Sequence, residues 1–373
     1  MSMLDRIDFN QQPFLVIWET TRACELACLH CRASAQPYPE PDELTTEQGK
    51  MLLQQIKDMG TSLVVLSGGD VLKRADIFEL IEEAKRLKLR AAAIPAVTPL
   101  LTPDIFKKFK TAGLDQVAFS LDDSDPAVHD SFRRTPGVFA RTLEAVELAR
   151  DAGLGVQINS LVNLHNQERL DSLIALVEKL DIVFWEVFFL VPMGRGKDVE
   201  LMNADLFEIA FEKIYALGKR ASFIIKVTEA PQYRRYFMAR EQSENAHKVP
   251  LLGKVRESGH QGPVRQHAGR VNSGKGFAFV SYRGDVFPSG FLPVKAGNIL
   301  ERSLADIYRN HPVFKELRDE SLLKGRCGRC EYRTVCGGSR ARAYALTGDY
   351  LAEDASCSYQ PEPLAENLSV SAL

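Results

Sequence analysis

The sequence predicts an α/β protein, a parallel sheet with helices outside it, followed by a smaller domain organised by cysteines. Three observations carry this. From residue 14 to about residue 226, short apolar runs alternate with amphipathic stretches of helical period, and six such strand–helix units can be counted. Parallel strands need a crossover and a helix is the usual one, so this alternation implies a parallel sheet covered by helices. Beyond residue 276 the pattern gives way to a short hairpin and then a group of four cysteines. Six units fit a partial (β/α)6 barrel. A doubly wound sheet shows the same alternation, and order along the chain does not separate the two.

The strands are placed at 14–18, 62–66, 89–94, 116–121, 155–159 and 184–189, short apolar runs bounded by polar turns. Helices are placed at 46–59, 77–87, 103–110, 139–151 and 167–179. Thr45 opens the first of these with Gln48 three residues on, a capping box. Gly60, Gly113 and Gly153 follow three helices where a left-handed residue is expected. Residues 230–242 read as a further helix. Residues 243–276, rich in Gly, Ser, His, Lys and Arg without apolar period, read as a loop near the active site. Residues 277–282 and 285–288 flank Arg283 and Gly284 as a hairpin, and a short helix is placed at 303–308. The expected division is a lead at 1–13, the barrel at 14–229, a helix and linker at 230–276, the cysteine domain at 277–360 and a weakly ordered tail at 361–373.

The chain has 373 residues, 45% hydrophobic and 26% charged. That is room for one large domain and a smaller one, since single cores stop growing at about 250–300 residues. With 47 Lys+Arg against 49 Asp+Glu, the net charge of −2 draws the whole chain to neither nucleic acid nor an anionic membrane. No apolar run is long enough to span a bilayer, and residues 1–12 lack the basic-then-apolar pattern of a signal peptide. A cytoplasmic protein is expected. In a reducing compartment its seven cysteines are better suited to metal ligation than to disulfides.

Cys24, Cys28 and Cys31 stand in a Cys-x3-Cys-x2-Cys pattern in the loop after the first strand. Three thiolates can hold three irons of a cubane and leave the fourth open, which a catalytic centre needs. A structural zinc loop that borrows a distant ligand is the competing reading, although zinc loops favour paired two-residue spacings. The run Cys24-Glu-Leu-Ala-Cys28-Leu-His-Cys31 resembles the cluster motif of the radical S-adenosylmethionine (SAM) superfamily. That resemblance implies the partial (β/α)6 barrel and a 4Fe–4S cluster on the three cysteines. It also implies SAM chelated at the open iron and cleaved to a 5′-deoxyadenosyl radical, which takes a hydrogen from a second substrate. His30 is then expected either near the adenine or simply packed in the loop.

The resemblance continues along the barrel. Ser67-Gly68-Gly69-Asp70 is similar to the family's Gly-Gly-Glu stretch at the methionyl amine, with Asp70 in the place of the commoner Glu. Ser120 and Asp122 after the fourth strand and Asn159 on the fifth match positions of polar contacts to the cofactor. Val191 opens Val-Pro-Met-Gly-Arg-Gly, which resembles a segment that runs past the adenine. Without the resemblance these are a loop, a strand-end cap and a turn.

Cys327, Cys330, Cys336 and Cys357 suffice by number to close a cluster or a zinc ribbon. Beside the first motif they resemble the SPASM/twitch extension, which implies an auxiliary 4Fe–4S cluster that serves as electron conduit or acceptor. Ser289 and Ser339 stand where related proteins often carry cysteine, so one auxiliary cluster is expected. The spacing, the stretch 287–298 and Arg340-Ala-Arg342-Ala-Tyr344 resemble the tetrapyrrole branch of haem and haem-d biosynthesis. A tetrapyrrole propionate is therefore the favoured substrate. Arg133, Arg195, Arg340 and Arg342 are candidate partners for its carboxylates, against surface solvation for each. The alternatives are a ribosomal peptide or peptide-derived cofactor, and a non-catalytic metal or redox protein. With 13 residues before the first strand, any peptide-recognition domain would have to come from a separate partner. A reductant such as flavodoxin or ferredoxin completes the expected partners.

Overall fold

The computed structural model describes residues 7–246 and 271–361. Most of the expected loop and nearly all of the expected tail lie outside the described residues. Ten strands form one sheet: β1 Leu15–Glu19, β2 Leu63–Ser67, β3 Arg90–Ala93, β4 Gln116–Ser120, β5 Gly155–Val162, β6 Phe184–Phe189, β7 Ile224–Thr228, β8 Phe277–Val280, β9 Asp285–Phe287 and β10 Gly297–Asn298. Their order is β10-β9-β8-β1-β2-β3-β4-β5-β6-β7. From β8 to β7 every pairing is parallel, while β8–β9 and β9–β10 are antiparallel. Among the described residues β10 and β7 are the two ends of the sheet and do not pair with each other, the arrangement of a partial barrel.

The six counted strands are β1–β6; the structure adds β7 and joins the expected hairpin strands, β8 and β9, to the same sheet with the short β10. β7, with Lys226 and Thr228 in its second half, continues the sheet beyond β6. β8, the first strand of the hairpin, pairs in parallel with β1, Leu15 opposite Phe277. The cysteine-bearing part therefore begins as a continuation of the barrel's own sheet.

The helices are α1 Thr46–Asp58, α2 Ile77–Arg86, α3 Pro103–Ala112, α4 Pro126–Arg133, α5 Val138–Asp151, α6 Leu170–Val177, α7 Ala204–Gly218, α8 Gln232–Ala246, α9 Leu304–Asn310, α10 Pro312–Arg318, α11 Gly325–Arg329 and α12 Arg340–Thr347. The capping box on α1 forms in both directions between Thr45 and Gln48. α1 buries Gly49, Leu52, Leu53 and Ile56, an i, i+3, i+4, i+7 stripe. Gly113 closes α3 at φ 100°.

Strand residues alternate between two environments. Val16, Trp18, Val64, Leu66, Val117, Phe119, Ile158, Trp185 and Val187 are buried under the helices. Several of the alternate residues of β4–β7 are polar and bond one another across the strands. Gln116 donates to Gln157 at 2.7 Å, and Gln157 donates to Asn159 and Glu186. Glu186 also accepts from Lys226 and Thr228. A packed barrel would fill this space with apolar side chains alone; here a polar network runs between the strands, and the lumen opens toward the rim where the parallel strands end.

Candidate active site

All the parallel strands present their C-terminal ends on one rim, where ligands of open α/β sheets bind. The loop after β1 carries the three cysteines over that rim and is anchored to the next strand by backbone bonds. Gly69 donates to Thr21 at 2.8 Å and Asp70 to Ala23 at 2.7 Å. The two glycines are needed for this approach. A Cβ on Gly68 would lie 2.4 Å from the Thr21 oxygen and one on Gly69 2.3 Å from the Ala23 oxygen, and Gly68 sits at φ 142°.

The opposite side of the loop is clamped by the segment after β6. Arg195 donates from its backbone to Cys31, from Nε to the Cys28 carbonyl at 2.8 Å and from Nη1 to Ala35. A Cβ on Gly194 would lie 2.3 Å from the Arg32 oxygen, so glycine is required there as well. Between these supports lies a cavity of about 250 Å³. Cys24, Cys28, Cys31, Ser67, Gly68, Gly69, Ser120, Asn159, Val191 and Met193 are among the residues that line it.

Each thiol receives an N–H. Leu26 donates to Cys24 Sγ at 3.3 Å, Ala35 to Cys31 Sγ at 3.4 Å and the Arg133 guanidinium to Cys28 Sγ at 3.7 Å. Donors aimed at sulfur favour thiolate and tune whatever the thiolate binds. Without a metal, burial pushes the Cys24 thiol up to about 12, so ligation would displace its proton. Among the described residues, no three His, Cys, Asp or Glu side chains converge as ligands of a single ion would. Three thiols on one loop, each with its own N–H donor, could each take a separate iron corner of a cubane.

Two of the expected cofactor residues have other tasks. Asp70 is fully buried outside the cavity. Its oxygens accept from the Leu72 and Ala96 N–H groups and from the Thr98 hydroxyl, which ties the turn after β2 to the end of β3. Asp122 lines the cavity, but Arg133 occupies Oδ2 and the Leu161 N–H occupies Oδ1. Burial alone would raise the Asp122 carboxyl; the Arg133 guanidinium outweighs it and holds the group below its ordinary value. His30 stacks on Phe132, centroids 4.5 Å apart, and burial lowers its pKa to about 3, so the ring is neutral.

The four expected carboxylate-binding arginines are engaged within the protein, although Arg133 also lines the cavity and Arg195 Nη2 has no hydrogen-bond partner among the described residues. Arg133 and Arg195 serve the cysteine loop as described. Arg342 is fully buried against Asp354, and Arg340 bonds backbone carbonyls and a sulfur. Arg32 lines the cavity as Arg133 does, and is stacked 4.6 Å over Phe279 and paired with Glu19 at 2.6 Å. Phe188 and Phe291 line the wall near it, their rings 6.2 Å apart. A basic residue next to a cysteine motif was the only sequence signal for Arg32, and nothing marked the two phenylalanines.

Cys327, Cys330, Cys336 and Cys357 surround a second, smaller cavity of about 30 Å³. Two of these sulfurs accept a backbone N–H, Cys327 from Asp354 at 3.5 Å and Cys336 from Gly338 at 3.4 Å. Four thiols around one cavity fit a fully ligated cluster. Ser339 caps α12 and donates to Glu229 at 2.5 Å, and Ser289 closes a turn onto the Phe291 N–H. Both serines therefore have structural work.

The profile of the radical SAM superfamily matches residues 18–180, and that of the SPASM iron–sulfur cluster-binding domain matches residues 272–331. An AdoMet-dependent heme synthase of Methanosarcina barkeri is 39% identical over 355 residues, 95% of this chain and 99% of that protein. The chain belongs to the radical SAM superfamily. It is a radical SAM enzyme with a C-terminal SPASM domain, and its cofactors are a SAM-binding 4Fe–4S cluster, SAM and an auxiliary 4Fe–4S cluster. A second AdoMet-dependent heme synthase, of Nitratidesulfovibrio vulgaris, is 36% identical over 349 residues, 93% of this chain and 92% of that protein. A PqqA peptide cyclase of Xanthomonas axonopodis pv. citri is 29% identical over 364 residues, 94% of this chain and 88% of that protein. Among solved structures, Streptococcus suis SuiB bound to S-adenosylmethionine superposes with a TM-score of 0.71 at 15% identity. It covers 94% of this chain and 78% of its own, a likeness of fold.

Proposed function

We propose that this enzyme alters propionate side chains of a tetrapyrrole by radical oxidation, with Cys24, Cys28 and Cys31 holding the SAM-binding cluster. Cys327, Cys330, Cys336 and Cys357 hold the auxiliary cluster in this reading. The division into a barrel at 14–229 and a cysteine domain at 277–360 follows the two clusters. The observation that carries the substrate reading is similarity to an AdoMet-dependent heme synthase along 99% of that protein's length. When bound, the first cluster and SAM supply a 5′-deoxyadenosyl radical, and the auxiliary cluster supplies a one-electron acceptor or conduit.

The chain's own residues place and shield the reactants. The backbone of Gly68 and Gly69, with Ser120, Asn159 and Val191, lines the cavity in which SAM is held. Asp122 acts indirectly, by fixing Arg133 against Cys28. Phe188 and Phe291, beside the Arg32–Glu19 ion pair, offer an apolar, aromatic wall with a polar edge, which suits a flat amphipathic ring. A propionate that gives up one hydrogen atom, then CO2 and one electron, becomes a vinyl group, so the reaction needs an electron acceptor besides SAM.

No described helix is long and apolar enough to cross a membrane. A cytoplasmic enzyme reduced by flavodoxin or ferredoxin completes the proposal. The test is anaerobic turnover of reduced enzyme with SAM and iron coproporphyrin III, followed by mass spectrometry. Loss of CO2 and two hydrogens per propionic acid, with 5′-deoxyadenosine formed, supports the reading. Radical formation with an unchanged tetrapyrrole overturns it. The likeness to a PqqA peptide cyclase favours a peptide as the second candidate, tested in parallel with a cross-linkable precursor peptide.

A further inference from the structure

The Arg-Ala-Arg run that opens α12 is buried, and its two arginines are satisfied differently. Arg342 meets a carboxylate, Asp354, at 3.0 Å. Arg340, 2% exposed, makes no ion pair within 4 Å among the described residues. Its Nε donates to the Gly338 carbonyl, and its Nη1 to those of Tyr350 at 2.9 Å and Ala352 at 2.7 Å. Nη2 lies 3.8 Å from Cys327 Sγ. Asp349 feels this charge from farther away, but is itself paired with Lys324 at 2.6 Å.

Carbonyl dipoles orient a guanidinium without neutralising it, and a buried charge left without a counter-charge is costly. The counter-charge the fold offers is the group held by four thiolates. The contact is also kept open by the backbone. A Cβ on Gly338, which sits at φ 65°, would lie 2.6 Å from Arg340 Nη2 and 3.1 Å from Cys327 Sγ, in the space between cation and sulfur.

We propose that Arg340 sets the reduction potential of the auxiliary cluster: its charge, held against Cys327 Sγ, favours the reduced form. This rests on the four-cysteine cluster assignment above. One-electron reduction adds a negative charge to an already anionic group, so a fixed cation nearby stabilises the product more than the reactant. Arg340 thereby keeps the auxiliary cluster a better electron acceptor than its burial alone would allow.

The test is a redox titration of holoenzyme with dithionite as electron donor, both clusters followed by EPR, in wild type, Arg340→Gln and Arg340→Lys. The glutamine variant is expected to keep about eight irons per chain. Its auxiliary couple should shift at least tenfold toward the oxidised form, ~59 mV lower. The lysine variant, which keeps the charge but cannot repeat the carbonyl bonds, should stay near wild type. The SAM-binding cluster is the internal reference and should not move. An unchanged auxiliary potential in an iron-replete glutamine variant overturns the inference. If the glutamine variant sheds its auxiliary irons, the lysine variant decides: a wild-type potential there supports the charge role, and an equal loss overturns it. Only four irons in the wild type would instead sink the cluster assignment itself.

Discussion

The Arg133 guanidinium lies 3.7 Å from the Cys28 sulfur and is held there by Asp122, which accepts from Nε at 2.7 Å. All three groups are buried. A carboxylate at the end of β4 thus reaches the first cluster site through an arginine on α4, rather than by touching a cofactor.

Breaking a buried ion pair by removing one partner costs about 3–5 kcal/mol. Asp122→Asn is therefore expected to lower the thermal midpoint clearly and to weaken retention of the first cluster. In a double-mutant cycle with Arg133→Met the losses should not add. An Asp122→Asn protein with wild-type midpoint and full iron would show that the pair supports neither fold nor cluster.

Glycine substitutions separate close approach from mere loop position. Gly68→Ala or Gly69→Ala would push a methyl into the backbone of Thr21 or Ala23, and should displace the cysteine loop. Iron is expected to fall to about four per chain, the auxiliary cluster alone. Gly218→Ala, with nothing within 4 Å of its Cβ in α7, should keep all the iron and stabilise by about 0.5–1 kcal/mol. Full iron in the Gly69 variant would contradict the packing account.

The two cysteine groups should differ in what their loss removes. Cys24→Ala, Cys28→Ala or Cys31→Ala is expected to abolish SAM cleavage. Cys327→Ala or Cys336→Ala should spare uncoupled cleavage while losing substrate turnover. Loss of cleavage in the second set as well would make the auxiliary site chiefly structural.

Tyr308 gives a pH signature far from both clusters. Its buried hydroxyl donates to Phe9 at 2.8 Å and accepts from Gly276, and burial pushes its pKa up to about 12 against an ordinary value near 10. A folded pKa above the unfolded one means that its contribution is fully present below pH 10 and is lost as pH rises toward 12. Tyr308→Phe is expected to cost about 1 kcal/mol at neutral pH through its lost hydrogen bonds. It should also flatten the decline in stability between pH 10 and 12, read by denaturant unfolding across that range. An undiminished alkaline decline would show that Tyr308 does not carry it.

How much could be read from sequence follows from where each signal resides. β1–β6 were legible because their helix-facing residues are apolar and their turns polar. β7 was missed because Lys226 and Thr228 face the polar lumen and interrupt an apolar run. The pairing of β8 with β1 joins residues some 260 positions apart, and no local pattern encodes it. The cysteines declared both cluster sites, since their spacing is itself the chemistry. Their supporting charges did not. Arg133, Arg340 and Arg342 read as carboxylate partners or solvated surface groups until Asp122, Asp354 and the carbonyls of Tyr350 and Ala352 are placed against them. Asp70 was legible as a position but not as a role, because its three donors come from the segment 72–98.

The central claim is tested most directly by iron and sulfide content together with 5′-deoxyadenosine production, on protein purified anaerobically and reduced with dithionite in the presence of SAM. About eight irons per chain, as two cubanes require, with 5′-deoxyadenosine formed, is the predicted result. Zinc in place of iron, with SAM left intact, would contradict it.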